Sequence, residues 1–415
     1  MGVETLWDER MGKLMKYDFT TIMDREGTGA IAVDRIPFEH AAIQEGFSKI
    51  PMWVADMNFA TAPSVIEAMQ KRLQHPAFGY FDVNDAYCAS IIEWQKVRND
   101  VTNLPKEAIG YENGVLGGVA SVLQAFTAPG EAVLLHSPTY IGFTHTIENL
   151  GRKIVHSPLK RDDKGVWRMD YEDMDQKLKE NHIHLAIFCS PHNPCGRVWE
   201  KWEIEKAIEV YEKNHCLVIS DEIWSDLILK GHKHTPTQSV SDYARTHTFA
   251  FYAPSKTFNL AGLVGSYHIV YDEYLRDRLL EAEKCSHYNS ANVLSVSALM
   301  GAYTKEGAEW VDELRQVLTE NVDYAYEYIT THFDGVSLAK PQGTYMLYLD
   351  CSGWLEKHPE VTMDDLIRKG IAVGVVWQDG RPFVNPNTIR MNLAVPHTLV
   401  KEAMNRLEQF VFNEK

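Results

Sequence analysis

Between about residues 115 and 270 short, continuously apolar runs alternate with amphipathic stretches, and this alternation constrains the fold more than any other feature. GVLGGVASVLQAF, YEDMDQKLKE and WEIEKAIEVYEK read as helices. EAVLLHSP, RKIVHSP, HLAIFCSP, CLVISDE, HTFAFYAPSK and SYHIVYDE read as strands. Strands that are apolar at successive positions, rather than at every second one, are covered on both faces, as in parallel sheets flanked by helices. The expected class is α/β with a mostly parallel sheet.

A chain of 415 residues exceeds what one core usually serves, about 250–300 residues, so two domains are expected. The texture changes after about residue 290. A helical stretch over 292–333, broken near Gly301 and Gly307, leads to GTYMLYLD, a short helix, IAVGVVW, TIRMNLAV and a closing amphipathic helix, HTLVKEAMNRLEQFVF. This predicts a smaller α+β domain over 296–415, a large domain over 61–295, and an aperiodic arm over 1–60 that packs with the smaller domain.

Composition removes several function classes. The formal charge of −16 and the absence of a basic stripe argue against nucleic acid. The first residues carry charge throughout and lack both an apolar leader core and Ser or Thr at position 6, so neither a signal peptide nor a myristoylation site is expected. No run reaches the roughly 18 apolar residues of a membrane span, and a cytoplasmic protein is expected. Cys88, Cys189, Cys195, Cys216, Cys285 and Cys351 show no metal spacing. His182/His184 and His232/His234 sit two apart in polar loops with no evident third ligand, so no metal is expected.

The chemistry gathers at strand ends, where open parallel sheets bind ligands. CLVIS runs into Asp221, AIFCSP into Asn193, LLHSP into Tyr140, and FAFYAPS into Lys256, while Asn113-Gly114 opens a helix able to hold a phosphate. Taken singly, each has a plain structural reading: Asp221 as a helix cap, Tyr140 as a core aromatic, Arg390 as a surface ion-pair residue. Taken together they supply what pyridoxal phosphate needs. That cofactor takes an amine on its aldehyde, an anion at its ring nitrogen, a flat ring against its own, a donor to its phenolic oxygen and a helix N-terminus for its phosphate.

SPHNPCGRVW, ISDEIWSDL, APSKTFNLAGL and TIRMNLAVP resemble the fold type I pyridoxal-phosphate enzymes of the class I/II aminotransferase superfamily. DFTTIMDREGTGA, PMWVADMNF, HPAFGYF and GHKHTP resemble its MalY/PatB group, the cystathionine β-lyase-like C–S lyases, over nearly the whole chain from about residue 17. The resemblance implies an aspartate aminotransferase-like large domain with a seven-stranded sheet. It implies that Lys256 links to the cofactor and shuttles the Cα proton, Asp221 pairs with the pyridinium nitrogen, Tyr140 stacks on the ring and Asn193 donates to its phenolic oxygen. Val115 and Leu116 would offer backbone N–H groups to the phosphate, Ser255 a hydroxyl, and Trp224 a ring neighbour. Tyr80 would reach the phosphate from the neighbouring subunit, implying a homodimer with shared active sites. Arg390 would clamp the α-carboxylate of a small amino-acid substrate, a bidentate geometry that Arg suits better than Lys.

The chain also departs from the family pattern. Val264 stands where many aminotransferases carry a phosphate-binding Arg, Trp224 where Tyr or His is commoner, and Asn58 where the group often has Asp; Ile141, not a polar or aromatic residue, follows Tyr140. The implied activity is C–S β-lysis of cystathionine, cysteine or related S-conjugates to pyruvate, ammonia and a thiol. The alternatives are an aminotransferase using nearly the same residues, and a binding protein that keeps the fold. Retention of Lys256, Asp221 and Arg390 argues against the last, while Val264 and GHKHTP favour the lyase.

Overall fold

The computed structural model describes residues 15–286 and 288–413; the reading of the first residues as free of leader and lipid site falls on 1–14, outside that range. Two compact units emerge. One comprises 61–308 with 342–344, and the other comprises residues up to 60, 309–341 and 345–415. The second seam lies within the helix Lys305–His332, thirteen residues beyond the expected division after 295. A helix that runs unbroken across the seam leaves no mark of it in local sequence.

The larger unit carries a seven-stranded sheet: β1 (Ile109–Asn113), β2 (Ala132–Ser137), β3 (Lys153–Pro158), β4 (Leu185–Cys189), β5 (Leu217–Asp221), β6 (Thr248–Tyr252) and β7 (Gly265–Ile269). Their order is β1-β7-β6-β5-β4-β2-β3. Neighbours from β3 through β6 run parallel, and β7 is antiparallel to both β6 and β1. Every residue of β4, β6 and β7 is buried, as continuous apolar runs require. The helix Val115–Phe126 lays Val119, Val122 and Leu123 against Val133, Ile187, Ile219 and Phe249 in the core.

The strand β1 has no counterpart among the runs read as strands. IGYEN carries a glycine and a buried glutamate, and its place at the sheet edge depends on pairing with β7, more than 150 residues away. Register brings the carboxyl ends of the parallel strands level, Cys189 opposite Asp221 and Asp221 opposite Phe251. The loops that follow β2, β4, β5 and β6 therefore leave one edge of the sheet.

In the smaller unit, Met346–Asp350, Thr388–Asn392 and Gln378–Asp379 form an antiparallel sheet, and Ile50–Pro51 pairs in parallel with Val375–Val376. The strand expected over IAVGVVW shrinks to that two-residue pair, because Ile371 and Ala372 complete the helix Met363–Ala372. Phe19 packs edge-on against Phe59 and tilted against Trp310, which ties the arm to its own unit. Asn321, fully buried, donates to the carbonyls of Leu393 and Val395, the strand exit after Asn392. Among the described residues no helix is long and apolar enough to cross a membrane. Five described cysteines are buried and Cys285 is exposed, all as free thiols.

Candidate active site

Asp221 is the last residue of β5, and burial there removes water from its carboxylate. Its acidity falls accordingly: burial pushes its pKa up to about 7, with the Glu222 charge adding to the rise and the Ile223 N–H and the Lys256 charge opposing it. Ile223 N donates to Asp221 Oδ1 at 3.1 Å, and Ser190 N donates to the Asp221 carbonyl at 2.9 Å. The second bond draws the loop that carries Asn193, itself buried, onto the end of β5. Beside Asn193, burial lowers the His192 pKa to about 3, so that ring stays neutral.

Lys256 lies in the single helical turn Pro254–Thr257 directly after β6, with Nζ 6.0 Å from the centre of the buried Trp224 ring. The turn is pinned from behind. Asp226 accepts from Thr257 Oγ1 at 3.2 Å and from Trp94 Nε1 at 3.1 Å. Ser255 is half-buried on the same turn.

Gly114, at φ +89°, lets the chain turn from β1 directly into the helix Val115–Phe126. Gly117 N and Gly118 N bond back to the Gly114 carbonyl at 3.1 and 3.3 Å. Val115 and Leu116 precede them in the first turn, where a helix offers N–H groups no internal partner. Tyr140 caps the helix Ile141–Asn149, and a Cβ on Gly142 would strike both the Tyr140 ring, at 2.4 Å, and Leu116 Cδ1, at 2.7 Å. Tyr140 and Leu116 are thus neighbours, and Phe143 meets the Tyr140 ring edge-on at 5.3 Å. Val264, itself at φ +66°, lies 3.5 Å from where a Gly114 Cβ would stand. The position that lacks the arginine is therefore beside the Gly114 turn.

Val115, Leu116, Tyr140, Asn193, Asp221, Trp224, Ser255 and Lys256 all belong to the larger unit. So does Tyr80, which is fully exposed in the single chain. Arg390 belongs to the smaller unit. It is buried on the strand Thr388–Asn392, where its Nη2 donates to Gln378 Oε1 at 2.5 Å and to the Trp53 carbonyl at 3.2 Å. Its guanidinium lies 4.6 Å from the centre of the Phe383 ring. Asn58, in the same unit, accepts from Arg25 Nη1 at 3.2 Å.

Two buried polar clusters lie outside the set that sequence reasoning picked. Glu222, next to Asp221, accepts from Ser220 Oγ, Tyr252 Oη and Thr237 N at 2.9, 2.8 and 3.0 Å, and meets His234 Nε2 at 2.7 Å. This corrects the reading of His234 as a polar-loop residue: it is buried, while His232 is exposed. The GHKHTP motif was the available signal, since a histidine kept inside needs a partner. The second cluster, Glu112, His268 and Glu283, has polar atoms within 4.8 Å of one another behind the Gly114 turn. Nothing local in the sequence marks it.

The donor set suits a cofactor with an aldehyde, a basic ring nitrogen and a phosphate. A buried carboxylate at the end of β5 calls for a cationic partner, a lysine stands one strand away, and a glycine turn opens a helix toward an anion. Fold and donors together define a site of the fold type I pyridoxal-phosphate kind.

The sequence profile of the family described as aminotransferase class I and II matches residues 48–407. The chain belongs to that family, within its MalY/PatB group. It is 37% identical over 361 residues to cystathionine β-lyase PatB of Bacillus subtilis, covering 86% of this chain and 92% of that protein. It is 30% identical to protein MalY of Escherichia coli, covering 94% and 97%. Among solved structures, cystalysin from Treponema denticola, which contains a pyridoxal 5'-phosphate cofactor, superposes with a TM-score of 0.86 at 28% identity, covering 95% and 98%.

Proposed function

We propose that this protein is a pyridoxal-phosphate-dependent C–S β-lyase that breaks the Cβ–S bond of cystathionine, cysteine or a related S-conjugate and, with one water consumed, releases pyruvate, ammonia and a thiol. The observation that carries the reading is the buried Asp221 carboxylate with Lys256 following the adjacent strand, its charge felt at Asp221, in a chain 37% identical to a protein named cystathionine β-lyase. When bound, the cofactor supplies an electrophilic aldehyde and a ring that accepts negative charge from Cα.

The residues of the chain do the rest. Lys256 would hold the cofactor's aldehyde, and its amine would take the Cα proton and return a proton to the departing sulfur. Asp221 keeps the ring nitrogen protonated, since a carboxylate out of water strongly favours an adjacent cation. Asn193 would donate to the phenolic oxygen and Tyr140 would stack on the ring, with Trp224 as a ring neighbour. Val115, Leu116 and Ser255 hold the phosphate. Arg390 binds the α-carboxylate through paired N–H groups. The enzyme acts as a homodimer in the cytoplasm, with Tyr80 of one subunit reaching the phosphate bound by the other. The full exposure of Tyr80 supports that role.

The direct test is pyruvate and ammonia release from cystathionine, with Lys256→Ala as control. Turnover in the variant is expected to fall by at least 10³-fold, a typical loss for a group acting in the reaction itself. Its visible absorbance should vanish while the fold survives. Amino transfer dependent on a keto acid, without pyruvate release, would overturn the lyase assignment.

A further inference from the structure

The Gly114 turn does not hold its shape alone. Asn113 Nδ2 donates to the carbonyls of Tyr288 and Ser290 at 2.7 and 2.9 Å, and Asn113 N donates to Asn289 Oδ1 at 3.1 Å. Tyr288 Oη donates to the Gly114 carbonyl at 2.7 Å. A Cβ on Gly117 would fall 1.8 Å from that hydroxyl, so glycine there lets the tyrosine reach across the first helical turn. Asn289 Nδ2 completes the tie, donating to the Tyr111 carbonyl at 2.6 Å and to Glu112 Oε2 at 3.3 Å. Residues 288–290 thus form a strap over β1 and the turn that follows it.

The strap has its own anchor. Glu112 is buried and faces His268 Nδ1 at 2.6 Å, and the helix Glu273–Ser286 brings a Glu283 carboxylate oxygen within 4.8 Å of both. Burial pushes the pKa of both glutamates up to about 8, toward the protonated form, and lowers that of His268 to about 4, so that ring stays neutral. The His268 ring fills the space over Gly110, where a Cβ would meet it at 2.1 Å. The anchor is closely packed, and Glu112 presents its second oxygen to Asn289.

We propose that Asn289, anchored by Glu112, is a positioning residue for cofactor binding: it fixes the Asn113–Gly114 turn so that the N–H groups of Val115 and Leu116 point at the phosphate. The proposal rests on the reading of that turn as the phosphate site. Asn289 touches neither cofactor nor substrate; it acts through Asn113. The loss of Arg at position 264 makes this geometry weigh more, because backbone donors without a guanidinium contribute only when held in the right direction.

The test compares pyridoxal phosphate with pyridoxal, which lacks the phosphate, on the full-length protein. Holoenzyme is resolved and titrated with each, following the visible absorbance. Asn289→Ala should weaken pyridoxal phosphate about tenfold, the effect of one to two hydrogen bonds, and leave pyridoxal affinity within about twofold. Tyr288→Phe, which removes a single hydroxyl, should shift the same ratio by about threefold and serves if Asn289→Ala folds poorly. An equal loss for both compounds would make the strap merely structural and overturn the proposal, as would no change in either variant. A wild-type protein that never takes up the cofactor would refute the functional reading itself. Normal uptake with an unmoved ratio would refute only the strap.

Discussion

Burial of Asp221 costs the folded chain stability. With a pKa near 7 in the folded state and near 3.8 when unfolded, the group binds more protons folded than unfolded between those values. Its cost to stability is absent below about pH 4, grows as pH rises through the window and is complete above about pH 7. Cofactor-free Asp221→Asn is therefore expected to be more stable than the wild type at pH 8, by a few kcal/mol by linkage, and nearly equal to it at pH 4. Urea unfolding at the two pH values checks this, and an advantage that shrinks with rising pH would contradict it. The same variant should lose at least 10²-fold in turnover, because an amide cannot hold the ring nitrogen's proton. The place of Asp221 at a strand end was legible because a strand end is a local property. Its altered acidity was not, since burial is set by what packs around it.

At the scale of elements, glycine marks close approaches as often as turns. Gly301 lies in the helix Val293–Ala302, where a Cβ would stand 2.5 Å from the Ser64 carbonyl and 2.7 Å from Ala68 Cβ of the helix Pro63–Leu73. Gly301→Ala gains about 1 kcal/mol of helix propensity, but the clash falls on backbone and forces the two helices apart at about 1–3 kcal/mol. A net loss of up to about 2 kcal/mol is expected, read as a lower urea midpoint for the larger unit; a rise would show that the helices adjust freely. The break expected near Gly301 and Gly307 lies between them, at Tyr303–Thr304. The strand β1 escaped notice for a related reason. Glu112 reads as solvent-facing until His268 and Glu283, contributed by distant elements, provide its partners.

For the whole molecule the sharpest question is whether two chains share one site. Tyr80→Ala and Lys256→Ala each spoil a different contribution. In a mixed dimer of the proposed kind, the site built on the Tyr80→Ala subunit keeps its own Lys256 and receives Tyr80 from its partner. Activity should therefore reappear when the two inactive variants are mixed and allowed to exchange. Exchange proven by mass without recovered turnover would rule the shared site out.

The amino-acid sequence by itself determined the α/β class, the strand ends and the residue types standing on them, because strand periodicity and the loop that follows a strand are encoded within a few neighbouring positions. Only the tertiary structure decided which polar groups lie inside. His234 against Glu222, and Asn289 with Glu112 behind the Gly114 turn, are pairings between residues 12 to 177 positions apart. Glu222, His234 and Glu112 leave water only once the sheet and its helices have closed, and burial is what gives an ordinary glutamate or histidine a fixed partner.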